Sequence, residues 1–199
     1  MTSSVFTTDT ANIRQGRLFV ISGPSGVGKG TIIARLLPRL PNMILSISAT
    51  TRAPREREKD GVHYFFTKKE DFLKTVAEGG FLEYDEHFGN YYGTPKKFVF
   101  DNLNVGKDVL LEIDVNGALK VKENYSDAVL IFIKPLSVEV LQNRLAMRNS
   151  ENTQEIANRI ARLEKELSIQ DKYDFVVVND DLNTAVNEVY QIIKESKSI

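Results

Sequence analysis

The chain has 199 residues, with 26 Lys+Arg against 27 Asp+Glu for a net charge of −1, and no cysteine. Charges that nearly cancel create no global field for DNA, RNA or an anionic membrane, so neither nucleic acid nor membrane is expected as a partner. A chain without cysteine has no disulfide scaffold, thiolate metal site or cysteine nucleophile, and the cytoplasm is its natural setting.

This length suits one domain, a single core carrying small insertions. Residues 1–16 read as a flexible leader, because Met1 to Gln15 is rich in Ser and Thr and lacks the uninterrupted apolar stretch of a signal peptide. No run approaches transmembrane length. Core segments are expected at 17–49, 101–147 and 155–199.

Leu18–Ser22 is an apolar run of strand length, followed by Gly23-Pro24-Ser25-Gly26-Val27-Gly28-Lys29-Gly30-Thr31 and then by Ile32, Ile33, Leu36 and Leu37 at helical spacing. In a strand–glycine loop–helix order, the glycines let backbone N–H groups approach phosphate oxygens. Lys29 reaches the β- and γ-phosphates, and the helix adds its positive end. A nucleoside triphosphate is therefore the expected ligand; a tight βα connection alone does not require the lysine. The match to GxxxxGK[ST] is imperfect, since Gly30 follows Lys29 and the hydroxyl moves one place to Thr31. Pro38 and Pro41 should stop the helix early.

Met43–Ser48 reads as the next strand. Residues 50–100 read as an inserted α+β lobe. In it His63–Phe66 resembles a short strand, and Thr67-Lys68-Lys69-Glu70 a capping box opening a helix with Phe72, Leu73 and Val76 inward. Phe81–Phe88 forms a second strand turning at Gly89-Asn90. Val109–Ile113 and Val129–Ile133 are further apolar strands, and Val138, Leu141 and Leu145 repeat at helical spacing. Residues 148–154 are polar and without period, with the length and chemistry of a mobile lid. Ile156, Ile160, Leu163 and Leu167 mark another helix, Phe175–Val178 the last strand, and Ala185, Val186, Val189, Ile192 and Ile193 the last helix. Strands apolar at nearly every position alternating with helices predict an α/β three-layer fold: a parallel sheet covered by helices on both faces, with ligands at the carboxyl ends of its strands.

Arg52 and Arg55 share a loop stiffened by Pro54, where two guanidinium forks either bracket one phosphate or, with Arg57 and Lys59, form a solvated basic loop. At this point an ordered series of motifs accumulates: Ser46-Ile47-Ser48-Ala49-Thr50-Thr51-Arg52-Ala53-Pro54-Arg55, Glu58-Lys59-Asp60-Gly61-Val62-His63-Tyr64, Phe81-Leu82-Glu83-Tyr84, Gly89-Asn90-Tyr91-Tyr92-Gly93-Thr94 and Leu111-Glu112-Ile113-Asp114. Together with the phosphate loop, the series resembles the guanylate kinase family, from about Leu18 to Lys197.

The resemblance implies transfer of the γ-phosphoryl group of ATP to GMP, with Mg²⁺. It assigns guanine recognition to Glu83 at N1 and N2, Asp114 at N2, and Ser48 and Thr94 at O6. That suits a base edge with one acceptor and neighbouring donors. The acceptor phosphate falls to Arg52, Arg55, Tyr64 and Tyr92, with Glu58 holding the arginines. Tyr91 reads as packing. Lys29, Arg148 and Arg159 are the implied catalytic residues, and Arg144 has a similar address. The lid reads Arg148-Asn149-Ser150-Glu151 where the family usually has Arg-Gly-Thr-Glu. Asn179 is placed near adenine, or else caps the last helix, for which Asp181 is better placed. Glu112 and Asp114, two apart on one expected strand, share a face, so that one orients magnesium-bound water while the other reaches guanine. Thr31 and Glu112 are the metal candidates, through water. A monophosphate kinase for another base and a non-catalytic binding module are the competing readings. The Glu83, Asp114 and Ser48 constellation opposes the first and Lys29 the second. A homo-oligomer is compatible with the sequence.

Overall fold

The computed structural model describes residues 14–87, 89–137 and 163–196. Five parallel strands form the main sheet in the order β2-β7-β1-β8-β9: β1 (Leu18–Ser22), β2 (Met43–Leu45), β7 (Asp108–Glu112), β8 (Val129–Lys134) and β9 (Phe175–Val178). All five residues of β1, the central strand, are buried. Alternation along the strands divides the core into two layers. Phe19, Ile21, Leu110, Ile131 and Ile133 face helices α1 (Lys29–Leu36) and α5 (Leu182–Glu195). Leu18, Val20, Leu111, Leu130 and Phe132 face α3 (Lys96–Asn104) and α4 (Val115–Asn124). Each of these side chains contributes about 1.5–3 kcal/mol by leaving water.

A second sheet, in the order β4-β3-β6-β5, is built from β3 (Ala49–Thr50), β4 (Phe65–Phe66), β5 (Phe81–His87) and β6 (Asn90–Pro95), with α2 (Lys69–Ala77) beside it. The two sheets meet where β2 hands over to β3. The expected strand Met43–Ser48 ends at Leu45; Ser46 N still donates to Leu110 O (2.9 Å), and the chain then leaves the main sheet. Residues with strand-like character continue, but their pairing partners change.

Three further expectations are corrected. The capping box does not form: α2 starts after Lys68 with no side-chain cap, and Glu70 and Asp71 in its first turn provide the charge favoured there instead. Only Phe72 of its expected apolar face is buried, stacked on Phe81 at 4.4 Å, while Leu73 is 41% exposed. Asp114 lies beyond β7 and caps α4, accepting a hydrogen bond from Gly117 N, so it does not share a strand face with Glu112. Helix α1 stops at Leu36, and Pro38 enters the 3₁₀ turn Leu37–Arg39 as expected. The Val138–Leu145 stripe, Ile156, Ile160 and residues 148–154 lie outside the described residues, as do Arg144, Arg148 and Arg159.

Candidate active site

The loop between β1 and α1 is shaped by three glycines with positive φ: Gly23 (139°), Gly26 (80°) and Gly28 (101°). Gly23 is also sterically required, because a Cβ there would sit 2.1 Å from Ile133 O on the neighbouring strand. Lys29, the first residue of α1, folds across the loop mouth, and its ammonium donates to Gly23 O (2.6 Å) and Pro24 O (3.1 Å). Asn179, buried at the end of β9, donates its side-chain amide to Val27 O at 2.7 Å. It therefore holds the loop's shape from beneath; a Cβ on Gly28 would approach that same amide to 2.6 Å. The cap of α5 is Asp181, which accepts from Thr184 N (2.8 Å).

The loop opens into a cleft of about 1040 Å³ that also takes in Ser48, Arg55, Tyr64, Glu83, Tyr92, Glu112 and Asp114. Residues as far apart in sequence as Gly23 and Asp114 meet here because both sheets direct strand ends into one space. Arg52, Glu58, Thr94 and Asn179 do not line the cleft; the first three contact residues that do, and Asn179 holds Val27 of the loop.

On the basic side, Glu58 grips the Arg52 guanidinium with both oxygens, at 2.9 Å each, and accepts from Arg55 N at 2.8 Å. The Arg52 hydrogen bond, followed by that from the Arg55 backbone, pushes the Glu58 carboxyl down to about 2. The same contact raises the Arg52 pKa further above its usual value. Arg52 also lies over the Tyr64 ring, and Tyr64 meets Tyr92 edge-on at 6.1 Å. Burial, then the neighbouring Tyr92, raises the Tyr64 pKa, so its hydroxyl remains a donor at neutral pH. Tyr91 turns the other way, onto Phe72 at 5.5 Å.

On the acidic side, a β-bulge between Phe81 and Glu83 re-aims the strand, sending Leu82 into the main core and Glu83 to the cleft. Glu83 is 7% exposed and accepts the Thr94 hydroxyl at 2.6 Å. Desolvation, reinforced by Asp114, outweighs that hydrogen bond and pushes its carboxyl up to about 7. Thr94 is thus committed to Glu83. Gly117 closes the floor, where a Cβ would meet Glu83 Oε2 at 2.9 Å and Asp114 Oδ1 at 3.4 Å.

Glu112 lies between the loop and the acidic side. Its carboxylate is solvent-accessible at the cleft rim, yet surrounding protein raises its pKa, with the Lys29 charge opposing the shift. A Cβ at Gly30 would come within 3.5 Å of Glu112 Oε1, so this carboxylate faces the place where a side-chain hydroxyl at position 30 would sit. Thr31 is exposed on the same rim. A carboxylate, a hydroxyl and the phosphates of a bound nucleotide suit a hard cation such as Mg²⁺, which retains several waters.

Sequence reasoning missed Asp85, His87, Gly117 and Lys120. Glu83, Asp85 and His87 alternate along β5, and that period of two was the available signal. Nothing local marks Gly117 or Lys120, which reach the site through α4.

The profile of the guanylate kinase family matches residues 15–196. A guanylate kinase from Caldanaerobacter subterraneus subsp. tengcongensis is 50% identical over 184 residues, covering 92% of this chain and 89% of that one. One from Clostridium tetani is 48% identical over 185 residues, covering 93% and 88%. The crystal structure of guanylate kinase from Anaplasma phagocytophilum superposes with a TM-score of 0.74 at 36% identity, covering 91% of this chain and 86% of that chain. Among the described residues no helix is long and apolar enough to cross a membrane. On these matches and the parallel-sheet, glycine-loop architecture, the chain belongs to the guanylate kinase family of nucleoside monophosphate kinases.

Proposed function

We propose that the protein transfers the γ-phosphoryl group of ATP to GMP, giving ADP and GDP. The observation that carries this reading is a single cleft with a triphosphate loop at one end and the buried Glu83 beside Asp114 at the other. Guanine presents N–H donors at N1 and N2, which two carboxylates accept; adenine presents an acceptor at N1 and would leave Glu83 opposed. Ser48, on the cleft wall, is assigned to O6. Arg55, Tyr64 and Tyr92, with Arg52 held ready by Glu58, form the acceptor-phosphate end.

The acceptor oxygen is already ionised at neutral pH, its second pKa being about 6, so no side chain need abstract a proton. Positioning and charge neutralisation dominate. Lys29 exchanges its two backbone acceptors for phosphate oxygens when ATP enters, so that its charge tracks the transferring group. Asn179 keeps the loop carbonyl at Val27 turned inward, leaving the loop's N–H groups for phosphate. Glu112 and Thr31 would hold Mg²⁺ through water, and the ion would supply charge neutralisation to the phosphates. Arg148 and Arg159, outside the described residues, are assigned by resemblance to clamp the donor phosphates, and residues 148–154 to close over them and exclude water.

The test is ADP release from ATP·Mg²⁺ with GMP, run on the wild type and Lys29→Ala. Turnover by the wild type, lost in the variant while calorimetric GMP affinity is retained, supports the assignment. Lost GMP affinity with unchanged turnover at saturating GMP contradicts it.

A further inference from the structure

Strand β5 carries Glu83, Asp85 and His87 at alternate positions, and all three line the cleft beside Asp114. Only Glu83 and Asp114 enter the guanine reading above. His87 Nε2 lies 2.7 Å from Asp114 Oδ2 and 3.8 Å from Asp85 Oδ2, and its ring stands 5.9 Å from that of Tyr92. Lys120, from α4, brings its ammonium to 3.4 Å from Asp85 Oδ1.

The ligand atoms of Asp85, His87 and Asp114 fall within 4.8 Å of one another, a spacing that admits a cation. Two features favour a network of protein side chains instead. The 2.7 Å contact is a hydrogen-bonding distance, shorter than the separation of two ligands around one ion. Lys120 also already supplies a positive charge to Asp85.

The two oxygens of Asp114 have different fates. Oδ1 accepts from Gly117 N at 2.8 Å, which fixes the carboxylate at the start of α4. Oδ2 is buried and makes no hydrogen bond, although His87 Nε2 lies 2.7 Å away. Buried acceptors are normally satisfied, so Oδ2 retains capacity for a donor brought by a ligand.

We propose that His87 is a positioning residue for base selectivity. On base binding a small rotation of the ring turns Nε2–H onto Asp114 Oδ2, 2.7 Å away, and holds that oxygen where it accepts the 2-amino group of the purine, so that discrimination against a 6-oxopurine lacking that amine depends on residue 87. The inference rests on GMP being the acceptor. Guanine and hypoxanthine share O6 and N1–H, so Glu83 serves both, and the 2-amino group alone reports on Asp114.

The experiment measures kcat and KM for GMP and for IMP in the wild type, His87→Phe, His87→Ala and His87→Gln, with calorimetric GMP binding and a thermal melt for each. Phe keeps a ring against Tyr92 and removes the N–H; Ala removes both; Gln restores an N–H at similar reach. Either folded Phe or Ala variant is sufficient for the comparison. The Phe and Ala variants should raise KM for GMP about tenfold, the order set by one charge-assisted contact. Their kcat at saturating GMP and their KM for IMP stay unchanged, and Gln restores the wild-type GMP-to-IMP ratio. Parallel changes for the two nucleotides, an unchanged ratio in the Phe and Ala variants, or a loss confined to kcat overturns the role of His87. A wild type that turns over IMP but not GMP, or neither, overturns the acceptor assignment itself and is read before any variant.

Discussion

Glu83→Gln removes a charge from a position that is 7% exposed, and it should move stability and ligand binding in opposite directions. The carboxyl is pushed up to about 7, mainly by burial, from an ordinary value of 4.5. A carboxyl whose folded pKa is raised favours the folded state at low pH, and that advantage is lost as pH rises from the unfolded pKa through the folded one. At pH 8 the ionised Glu83 therefore opposes folding, by about 3 kcal/mol at roughly 1.4 kcal/mol per pKa unit. Gln keeps an oxygen for the Thr94 hydroxyl, so the variant should melt roughly 5–10 °C higher at pH 8 and show little gain near pH 4. GMP affinity should fall about a hundredfold at pH 8, because two charge-assisted hydrogen bonds to the base are lost. Below the pKa the wild type loses its advantage too: between pH 7 and 6 its GMP affinity, relative to the variant, should drop by about fivefold as Glu83 takes up a proton. Taking the ratio of the two proteins cancels the titration of the GMP phosphate. Calorimetric binding and thermal melts from pH 5.5 to 8.5 give both quantities. A melting temperature unchanged or lowered at pH 8, or a binding ratio that is flat with pH, would refute the electrostatic account of Glu83.

Three further outcomes follow from individual contacts. Gly117→Ala places a methyl group 2.9 Å from Glu83 Oε2, so steady-state kinetics should show KM for GMP raised about tenfold with KM for ATP unchanged. Asn179→Ala leaves Val27 O without its buried donor; a melt should show a loss of about 1–3 kcal/mol, and kinetics a raised KM for ATP with GMP affinity intact. Glu58→Gln weakens the grip on Arg52, so calorimetry should show weaker GMP binding and kinetics little change in KM for ATP.

Much of the architecture is legible because its physics is local. Strands buried on both faces are apolar at almost every position, as Leu18–Ser22 and Val129–Ile133 are, and the loop from Gly23 to Lys29 carries its glycines where positive φ is needed. The site is legible as a set of residues more than as a set of contacts. Thr94, expected at the base, donates to Glu83, and Asn179, expected near adenine or as a helix cap, braces Val27. Both hydrogen bonds span sheet or loop partners that no spacing reveals. The bulge at Phe81–Glu83 is similarly hidden, since an added residue in a strand leaves its apolar alternation readable in either register. Asp114 illustrates the opposite limit: Asp before a helix is an ordinary cap signal, but the neighbouring Leu111-Glu112-Ile113 run made it look like part of the strand. His87 carried a signal in the alternation with Glu83 and Asp85, although its partner lies on another element.

The acceptor tests the central claim most directly: ADP formation from ATP·Mg²⁺ with GMP, dGMP, AMP, CMP or UMP at equal concentration. At pH 8, where Glu83 is ionised, the cleft predicts turnover with guanine nucleotides and almost none with AMP, because N1 of adenine opposes the buried carboxylate with an acceptor. Turnover with AMP equal to that with GMP, or no turnover with any acceptor, would contradict it.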